Sequence, residues 1–437
     1  MAHVVVIGAG LGGLPAAYEL RHLLPTRHQV TLISEQSKFT FIPGLIRVAL
    51  DLKPLSHVQL DLPKLARRHG LNFIPSRVTQ FDPHNQRITT ADGQTLQYDY
   101  VVIATGASLN LAAIPGLGPH GGYSHSVCTP EHALQARQGW LKFLENPGSL
   151  VVGAAPEAGC FGPAYEFILM ADWELRRRGL RDKATLTYIT PEPYTGHLGV
   201  GGVKNARELT VSLLEERGIK TLDNTRIAEV HPNRITLGNG QHIFSDYAMI
   251  LPSFLGAKFI RDIPQLGTEK GFIPVTPTYH HPKFPQIYAV GVSVHLTQPE
   301  KTPIPMGLPK SGEMAEAMAV AVAHNIAIEL GIIQAKPTTP TLEALCFAEF
   351  GNTGIAYMAV PVIPDPTTGQ RRYSTALKGP WVNWTKAIFE EYFMLKMRFG
   401  MGLPWFEKLG LQLLFGVSLV KHLSPQEQQE LRSAISG

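Results

Sequence analysis

At 437 residues, with 44% hydrophobic and 17% charged side chains, the chain is long enough for two or three packed domains around a large core. Its formal charge of +4, from 39 basic and 35 acidic residues, is too small to argue for nucleic acid, and no basic cluster reads as a nucleic-acid footprint. Three widely spaced cysteines exclude a disulfide framework at this size, and without a clean apolar run of about 18 residues no transmembrane helix is expected.

The first segment predicts one βαβ unit: strand Val4–Ile7, glycine turn Gly8–Gly13, helix Leu14–Leu24 and strand Val30–Ser34. Because the apolar strand starts so early, a cleavable signal peptide is not expected. In the fingerprint Gly8-x-Gly10-x-x-Gly13, Gly8 permits a tight turn, Gly10 lets a pyrophosphate approach, and Gly13 lets helix and strand pack closely. Gly12 lies inside the same turn. The phosphates would sit on the helix N-terminus, and Ser34 or Glu35, ending the second strand, would hold the ribose hydroxyls.

Tyr100-Val-Val-Ile-Ala104-Thr105-Gly106 is a strand ending in a turn, and Ile287-Tyr-Ala-Val-Gly291 is a second such end. With the fingerprint, these segments resemble the two-dinucleotide-domain flavoprotein reductases, whose FAD domain is split around an inserted domain. The resemblance implies an α/β fold with two Rossmann-like domains: residues 1–112 and 266–335 as the FAD domain, 113–265 as the second domain, and 336–437 as a C-terminal module. It adds Pro43, Val78, Thr105, Gly106 and Gly291 to the positions expected to contact non-covalently bound FAD.

The second domain would open at Leu150-Val-Val-Gly153-Ala-Ala155-Pro-Glu-Ala158-Gly159-Cys160, with Lys183–Thr190 as its next strand. Ala155 and Ala158 replace two glycines, and Cys160, Phe161, Gly162 and Pro163 crowd the helix start. The expectation is a retained fold that has lost its dinucleotide, with NADH binding as the alternative. Gly291-Val292 also stands where such reductases carry Gly-Asp, so the ribityl contact must come from elsewhere. Ser311–Leu330 predicts an apolar helix with Ser311 as N-cap. By the same resemblance its N-terminus, with Lys310 and Gly312, would face the flavin pyrimidine and stabilise its reduced anion. The bland alternative for Lys310 is a solvated loop lysine.

From Thr341 a separate module begins, with Leu345–Phe350 and Ile355–Val360 predicting a hairpin and Pro361–Gly369 a loop. Four segments, Ser126-Val-Cys128-Thr-Pro-Glu-His132, Gly159-Cys160-Phe-Gly-Pro-Ala-Tyr-Glu166, Tyr194-Thr-Gly-His197-Leu-Gly199 and Leu345-Cys346-Phe-Ala348, together resemble the sulfide:quinone oxidoreductases. The chemistry is intelligible beside the name. Sulfide oxidation needs a sulfur electrophile for HS⁻ to attack, then a thiolate able to reduce flavin. The resemblance implies Cys160 and Cys346 as that pair, with Cys346 nearer the flavin. It makes Cys128 a third cysteine on the substrate side, and His132, His197 and Glu166 proton carriers.

Cys160 lies by a helix N-terminus, where the dipole is expected to favour its thiolate. Cys128 precedes a helix signalled by Thr129 as N-cap and Pro130 at its first position. A lone cysteine is more often a small buried hydrophobe, and either histidine has a plain structural alternative. No close ligand pair of the CxxC or HxxxH kind occurs, so no metal is expected.

The tail Trp381–Phe399 and Leu403–His422 predicts two amphipathic helices separated near Gly400–Pro404. They would lie in a bilayer interface with Lys386, Lys396 and Arg398 toward the headgroups; a dimer interface or core cap is the alternative. By resemblance, Phe389 and Phe406 would sandwich a quinone ring, although a tyrosine is common at the second position. The composite expectation is a monotopic flavoenzyme of a prokaryotic cell membrane, oxidising hydrogen sulfide to polysulfide or elemental sulfur and reducing a membrane quinone. Membrane leaflet and homo-oligomerisation stay open. The rivals are a type II NADH:quinone oxidoreductase, a flavocytochrome-type sulfide dehydrogenase and a non-enzymatic flavin-binding docking module.

Overall fold

The computed structural model describes residues 1–365 and 368–436. Within the expected Pro361–Gly369 loop, residues 366 and 367 lie outside the described residues, as do the side chains of Leu414 and Phe415 in the tail.

The chain opens with β1 (His3–Ile7), α1 (Gly13–Leu23) and β2 (Gln29–Ile33). Val4, Val5 and Val6 are all buried, the mark of a parallel strand covered on both faces. Helix α2 (Leu62–Arg68) is capped by Asp61, whose side chain accepts from Lys64 N at 2.9 Å, and β3 (Asn72–Ile74) and β4 (Tyr100–Ile103) follow.

The chain then leaves this sheet. Helix α3 (Pro130–Glu145) starts on Thr129, whose hydroxyl accepts from His132 N at 3.1 Å. Next come β5 (Ser149–Ala154), α4 (Gly162–Arg177), β6 (Thr185–Ile189), α5 (Ala206–Glu216), β7 (Ile219–Leu222) and β8 (Tyr247–Leu251). It returns at β9 (Ile287–Ala289), followed by α6 (Gly312–Glu329), which Ser311 caps by accepting from Met314 N at 3.2 Å.

Two parallel sheets result, ordered β9-β4-β1-β2-β3 and β7-β6-β5-β8. The first is completed by β9, a strand from far along the chain, and the second is inserted between β4 and β9. This is the split α/β arrangement that the resemblance to the flavoprotein reductases implied.

The C-terminal region runs β10 (Thr338–Pro340), β11 (Ala344–Glu349), β12 (Gly354–Val360), β13 (Tyr373–Gly379), α7 (Trp381–Phe399), α8 (Trp405–Phe415), β14 (Val420–His422) and α9 (Pro425–Ser436). The expected hairpin gains a third antiparallel strand, β13, which pairs along the whole of β12. The second tail helix is shorter than expected. Gly416, with φ +63°, ends α8, and Val420–His422 turns back as a strand against β10. Helix α7 ends at Gly400, φ +64°, where a methyl group would lie 2.4 Å from His69 Nδ1, so only glycine fits. Among the described residues, no helix is long and apolar enough to cross a membrane.

Candidate active site

The N-terminal turn forms a cradle. A methyl group at Gly8 (φ +102°) would lie 2.3 Å from the Ala104 carbonyl oxygen, and one at Gly13 would lie 1.9 Å from that of Gly8. The turn is thus pressed onto the end of β4. At Gly10 no described atom lies within 4 Å of that position, so this side stays open. Gly12 offers α1 no side-chain cap; Leu14 N donates to the Gly10 carbonyl at 3.1 Å and Pro15 has no N–H, so the Gly13 N–H is the first-turn group left for an anion.

Beside it, Thr105 Oγ1 is buried without a hydrogen-bond partner among the described residues. Neighbouring Gly106 has φ +66° and open space around it, and Gly291 has φ +70°. Ser34 is half-buried at the end of β2, Glu35 and Pro43 are exposed, and Val78 is buried in the first strand of an antiparallel meander, Val78–Asp82. Gly312 opens α6. Lys310 is no solvated lysine: Nζ donates to the Val292 carbonyl at 3.3 Å, sits 5.0 Å from the Phe272 ring centre, and burial lowers its pKa to about 8. The open glycine face, the uncapped helix start and the unpaired threonine hydroxyl fit FAD.

The corresponding turn of the second sheet is closed. Ala155 and Ala158 are fully buried. The segment 305–307 crosses over them: Glu157 N donates to Pro305 O at 2.7 Å, and Gly307 N to Ala158 O at 3.1 Å.

Cys160 lies in the turn before α4, and Cys346 lies on β11 opposite Tyr357. The point a methyl group at Gly162 would occupy is 3.5 Å from Cys346 Sγ and 3.9 Å from Cys160 Sγ. Two sulfurs far apart in sequence therefore flank one glycine. Leu345 N donates to Glu313 Oε2 at 3.1 Å, which hangs the Cys346 strand on the first turn of α6, next to Lys310. Burial pushes the Cys128 thiol up to about 12, partly opposed by the Ser126 hydroxyl, and it pushes the Cys346 thiol up further.

The thiolate expected at Cys160 requires correction. Gly162 N–H favours it, but burial prevails, and with the Glu166 and Glu192 charges raises the thiol to about 11. All three cysteines nevertheless keep part of their surface accessible.

Glu166, also buried, forms an ion pair with Lys386; burial raises its pKa and Lys386 opposes the rise. His132 Nδ1 is 2.7 Å from Ser126 Oγ, two residues from Cys128, and desolvation lowers its pKa. His197 Nε2 is 3.2 Å from Glu300 Oε2, Nδ1 has no partner among the described residues, and burial lowers its pKa as well. Its loop reaches the Cys160 turn, for a methyl group at Gly199 would lie 3.3 Å from the Phe161 ring.

In the tail, Phe389 is half-buried with its ring centre 6.2 Å from that of Phe393. Phe406 is exposed, its ring 6.3 Å from that of Tyr392, which lies one helical turn from Phe389. The expected orientation of two basic residues is wrong. Lys386 and Lys396 face the protein, and of the three only Arg398 is exposed. Lys386 shares the buried stripe of Val382, Glu390, Phe393 and Met397, and that spacing was the available signal.

Fully buried Lys396 pairs with both Glu316 of α6 and Glu407 of α8, and Tyr392 OH donates to Glu407 at 2.8 Å. This cluster escaped the sequence reading because its members come from three separate helices.

The pyridine nucleotide-disulphide oxidoreductase family model matches residues 2–319. The chain is 37% identical over 423 residues to the sulfide-quinone reductase of Aquifex aeolicus, with 95% of each covered. It is 22% identical to the mitochondrial sulfide:quinone oxidoreductase of Dictyostelium discoideum, covering 67% of this chain and 65% of that one. The crystal structure of the sulfide:quinone oxidoreductase from Aquifex aeolicus superimposes with a TM-score of 0.92 at 36% identity, covering 97% of this chain and 98% of that. NDH2 from Plasmodium falciparum in complex with NADH shares the fold alone, at a TM-score of 0.67 and 15% identity over 95% of this chain and 99% of that.

Proposed function

Because this chain belongs to the pyridine nucleotide-disulphide oxidoreductases and, within them, to the sulfide:quinone oxidoreductases, we propose that it oxidises hydrogen sulfide with FAD and reduces a quinone. The balanced overall change is HS⁻ + quinone + H⁺ giving sulfur and quinol. Bound FAD supplies the two-electron store between the two substrates. Gly8, Gly10, Gly12 and Gly13 would hold its diphosphate, Ser34 and Glu35 would serve its ribose, and Pro43, Val78, Thr105, Gly106 and Gly291 would supply further contacts. Lys310 and Gly312, at the start of α6, would stabilise the negative charge of a reduced flavin.

Cys160 and Cys346 carry the sulfur chemistry, and their meeting across Gly162 is the observation that carries this reading. With the pair joined as a disulfide or through bridging sulfur, HS⁻ attacks one sulfur and the S–S bond breaks, leaving the other as a thiolate. Cys128 sits on the substrate side. The raised Glu166 carboxyl takes the sulfide proton, and His132 and His197, both held neutral by burial, accept protons leaving the chamber.

Closure of the second glycine turn by residues 305–307 supports a domain that binds no nicotinamide dinucleotide, against the NADH-dependent alternative. Exposed Trp384, Ile388, Trp405 and Leu413 on α7 and α8, beside exposed Arg67, Arg68, Arg398 and Lys408, support docking on a bilayer. Phe389 and Phe406 then bracket the quinone, with the Lys396 cluster nearby as a proton source.

The test is anaerobic mixing of the flavoprotein with sulfide and, separately, with NADH while flavin absorbance is followed. Bleaching by sulfide is expected. Bleaching by NADH alone would overturn the reading.

A further inference from the structure

Glu192 follows β6, the strand end from which the acidic residue of a dinucleotide-binding domain reaches an adenosine ribose. Here it points inward and is fully buried. Its Oε1 accepts from Leu198 N at 2.6 Å, and its Oε2 accepts from Tyr165 OH at 2.6 Å, Thr190 OH at 2.7 Å and Tyr188 OH at 3.3 Å. Tyr165 OH in turn accepts from Gly196 N at 2.9 Å.

One carboxylate therefore ties three pieces of chain together: the end of β6, the first turn of α4, and the loop carrying His197. Tyr165 is only a few residues past Cys160 on the segment that opens α4. The loop it holds contains Gly196 (φ +88°), Leu198 (φ +60°), Gly199 (φ +73°), Gly201 (φ +65°) and Gly202 (φ +60°) in left-handed backbone, and for Leu198 outside support must maintain that shape. That loop also packs against Phe161 and, through Gly199, against the Gly307 carbonyl of the segment covering the closed glycine turn.

We propose that Glu192 is a positioning residue of the sulfide-oxidising chamber: it clamps the His197 loop onto the Cys160 turn so that Cys160 faces Cys346, and in doing so has ceased to be available to a ribose. The proposal rests on the function given above for that chamber. Burial raises the Glu192 carboxyl to about 7, and the bonds from Tyr165, Thr190, Leu198 and Tyr188 oppose that rise. A buried carboxyl group with four donors is still a strong polar knot, because each buried partner is left unsatisfied when it is removed. The tyrosines and Thr190 are spent on Glu192 and do not face a substrate. Its effect on chemistry runs entirely through the placement of Cys160 and His197.

Glu192→Gln preserves volume but turns one acceptor into a donor facing donors. Tyr165→Phe removes one bond and the link to Gly196 while leaving the remaining bonds to Glu192. In the FAD-loaded enzyme, Glu192→Gln is expected to raise the sulfide concentration for half-maximal flavin bleaching by about tenfold or more, with Tyr165→Phe moving it the same way by less. Reoxidation of dithionite-reduced flavin by a soluble quinone should match the parent, which a general loss of structure would not allow.

Alkylation of the reduced protein, followed residue by residue by mass spectrometry, reads the clamp without sulfide chemistry. Cys160 should react several-fold faster in Glu192→Gln than in the parent protein under the same conditions. Unchanged sulfide dependence together with unchanged Cys160 alkylation would overturn the proposal, and if Glu192→Gln does not fold, Tyr165→Phe and Thr190→Val decide by the same two readouts. Failure of the parent enzyme to bleach with sulfide would count against the function instead, while the alkylation result would still judge the clamp.

Discussion

Lys396 on α7 and Glu316 on α6 form an ion pair in which the lysine is fully buried and the glutamate nearly so. Glu407 of α8 joins the same lysine, so one ammonium fastens both helices of the exposed apolar tail to the helix that begins beside Lys310. A buried pair of this kind contributes little net stability when intact, but breaking it is costly.

Replacing Lys396 by Met leaves buried Glu316 and part-buried Glu407 without their cation. Loss of about 3–5 kcal/mol of stability is expected, read as a lowered denaturation midpoint. Flavin reoxidation by quinone should suffer more than bleaching by sulfide, because the damage falls on the tail side. Equal loss in both half-reactions would contradict that division.

The pH dependence of stability has a definite sign. Burial raises Glu313 to about 8 and Glu316 to about 7, from an ordinary 4.5. Between about pH 4.5 and 8 the folded chain therefore holds more protons than the unfolded one, and these two groups make stability fall as pH rises across that window. Glu313→Gln keeps an acceptor for Leu345 N and removes the charge. Its thermal midpoint should vary less with pH than that of the parent, and an unaltered slope would refute the assignment.

For the sulfur pair, Cys346→Ala is expected to cut sulfide-driven bleaching by at least about a thousandfold while FAD stays bound, as the absorbance spectrum would report. Gly162→Ala is a finer probe. The added methyl meets both sulfurs at ordinary contact distances, 3.5 and 3.9 Å, so folding should be intact. It nevertheless fills the space between them, and sulfide oxidation should slow while FAD content holds. Full activity in Gly162→Ala would mean that no sulfur passes through that space.

Membrane docking can be checked with vesicles. Trp384→Ala and Trp405→Ala each remove a large exposed apolar side chain, 73% and 76% accessible. Each should weaken partitioning by about tenfold or more, the consequence of losing roughly 1.5–3 kcal/mol of burial. Arg67→Glu with Arg68→Glu should weaken binding to phosphatidylglycerol-containing vesicles more than to phosphatidylcholine alone, and salt should shrink that difference. Binding to neither vesicle type by the parent would remove the bilayer from the account.

The parts of the fold legible in the sequence were those written in local pattern. The glycine spacing after a valine run led directly to β1, α1 and β2, and Thr129 and Ser311 marked helix starts that the structure caps in the same way. Strand β13 went unread, because its identity depends on pairing with β12 rather than on local pattern. The return of Val420–His422 as a strand likewise depends on β10, a partner invisible to local pattern.

At the site, the cysteines were readable as a set from their flanking segments, but not the burial that raises their pKa values. Lys386 and Lys396 misled for one reason. A basic residue on an amphipathic helix looks solvent-seeking until its partner carboxylates, here Glu166, Glu316 and Glu407, arrive from other helices.

The backbone of Pro305 to Gly307, bonded across Ala155 and Ala158, bears on any attempt to redesign the electron donor. Restoring glycines at those two positions would not reopen a dinucleotide groove, since main chain rather than methyl groups bars the way. That segment leads within a few residues to Lys310, so lifting it would disturb the flavin environment as well. On the proposed function, the preference for one reductant over another is guarded by chain routing, which point substitutions cannot easily undo.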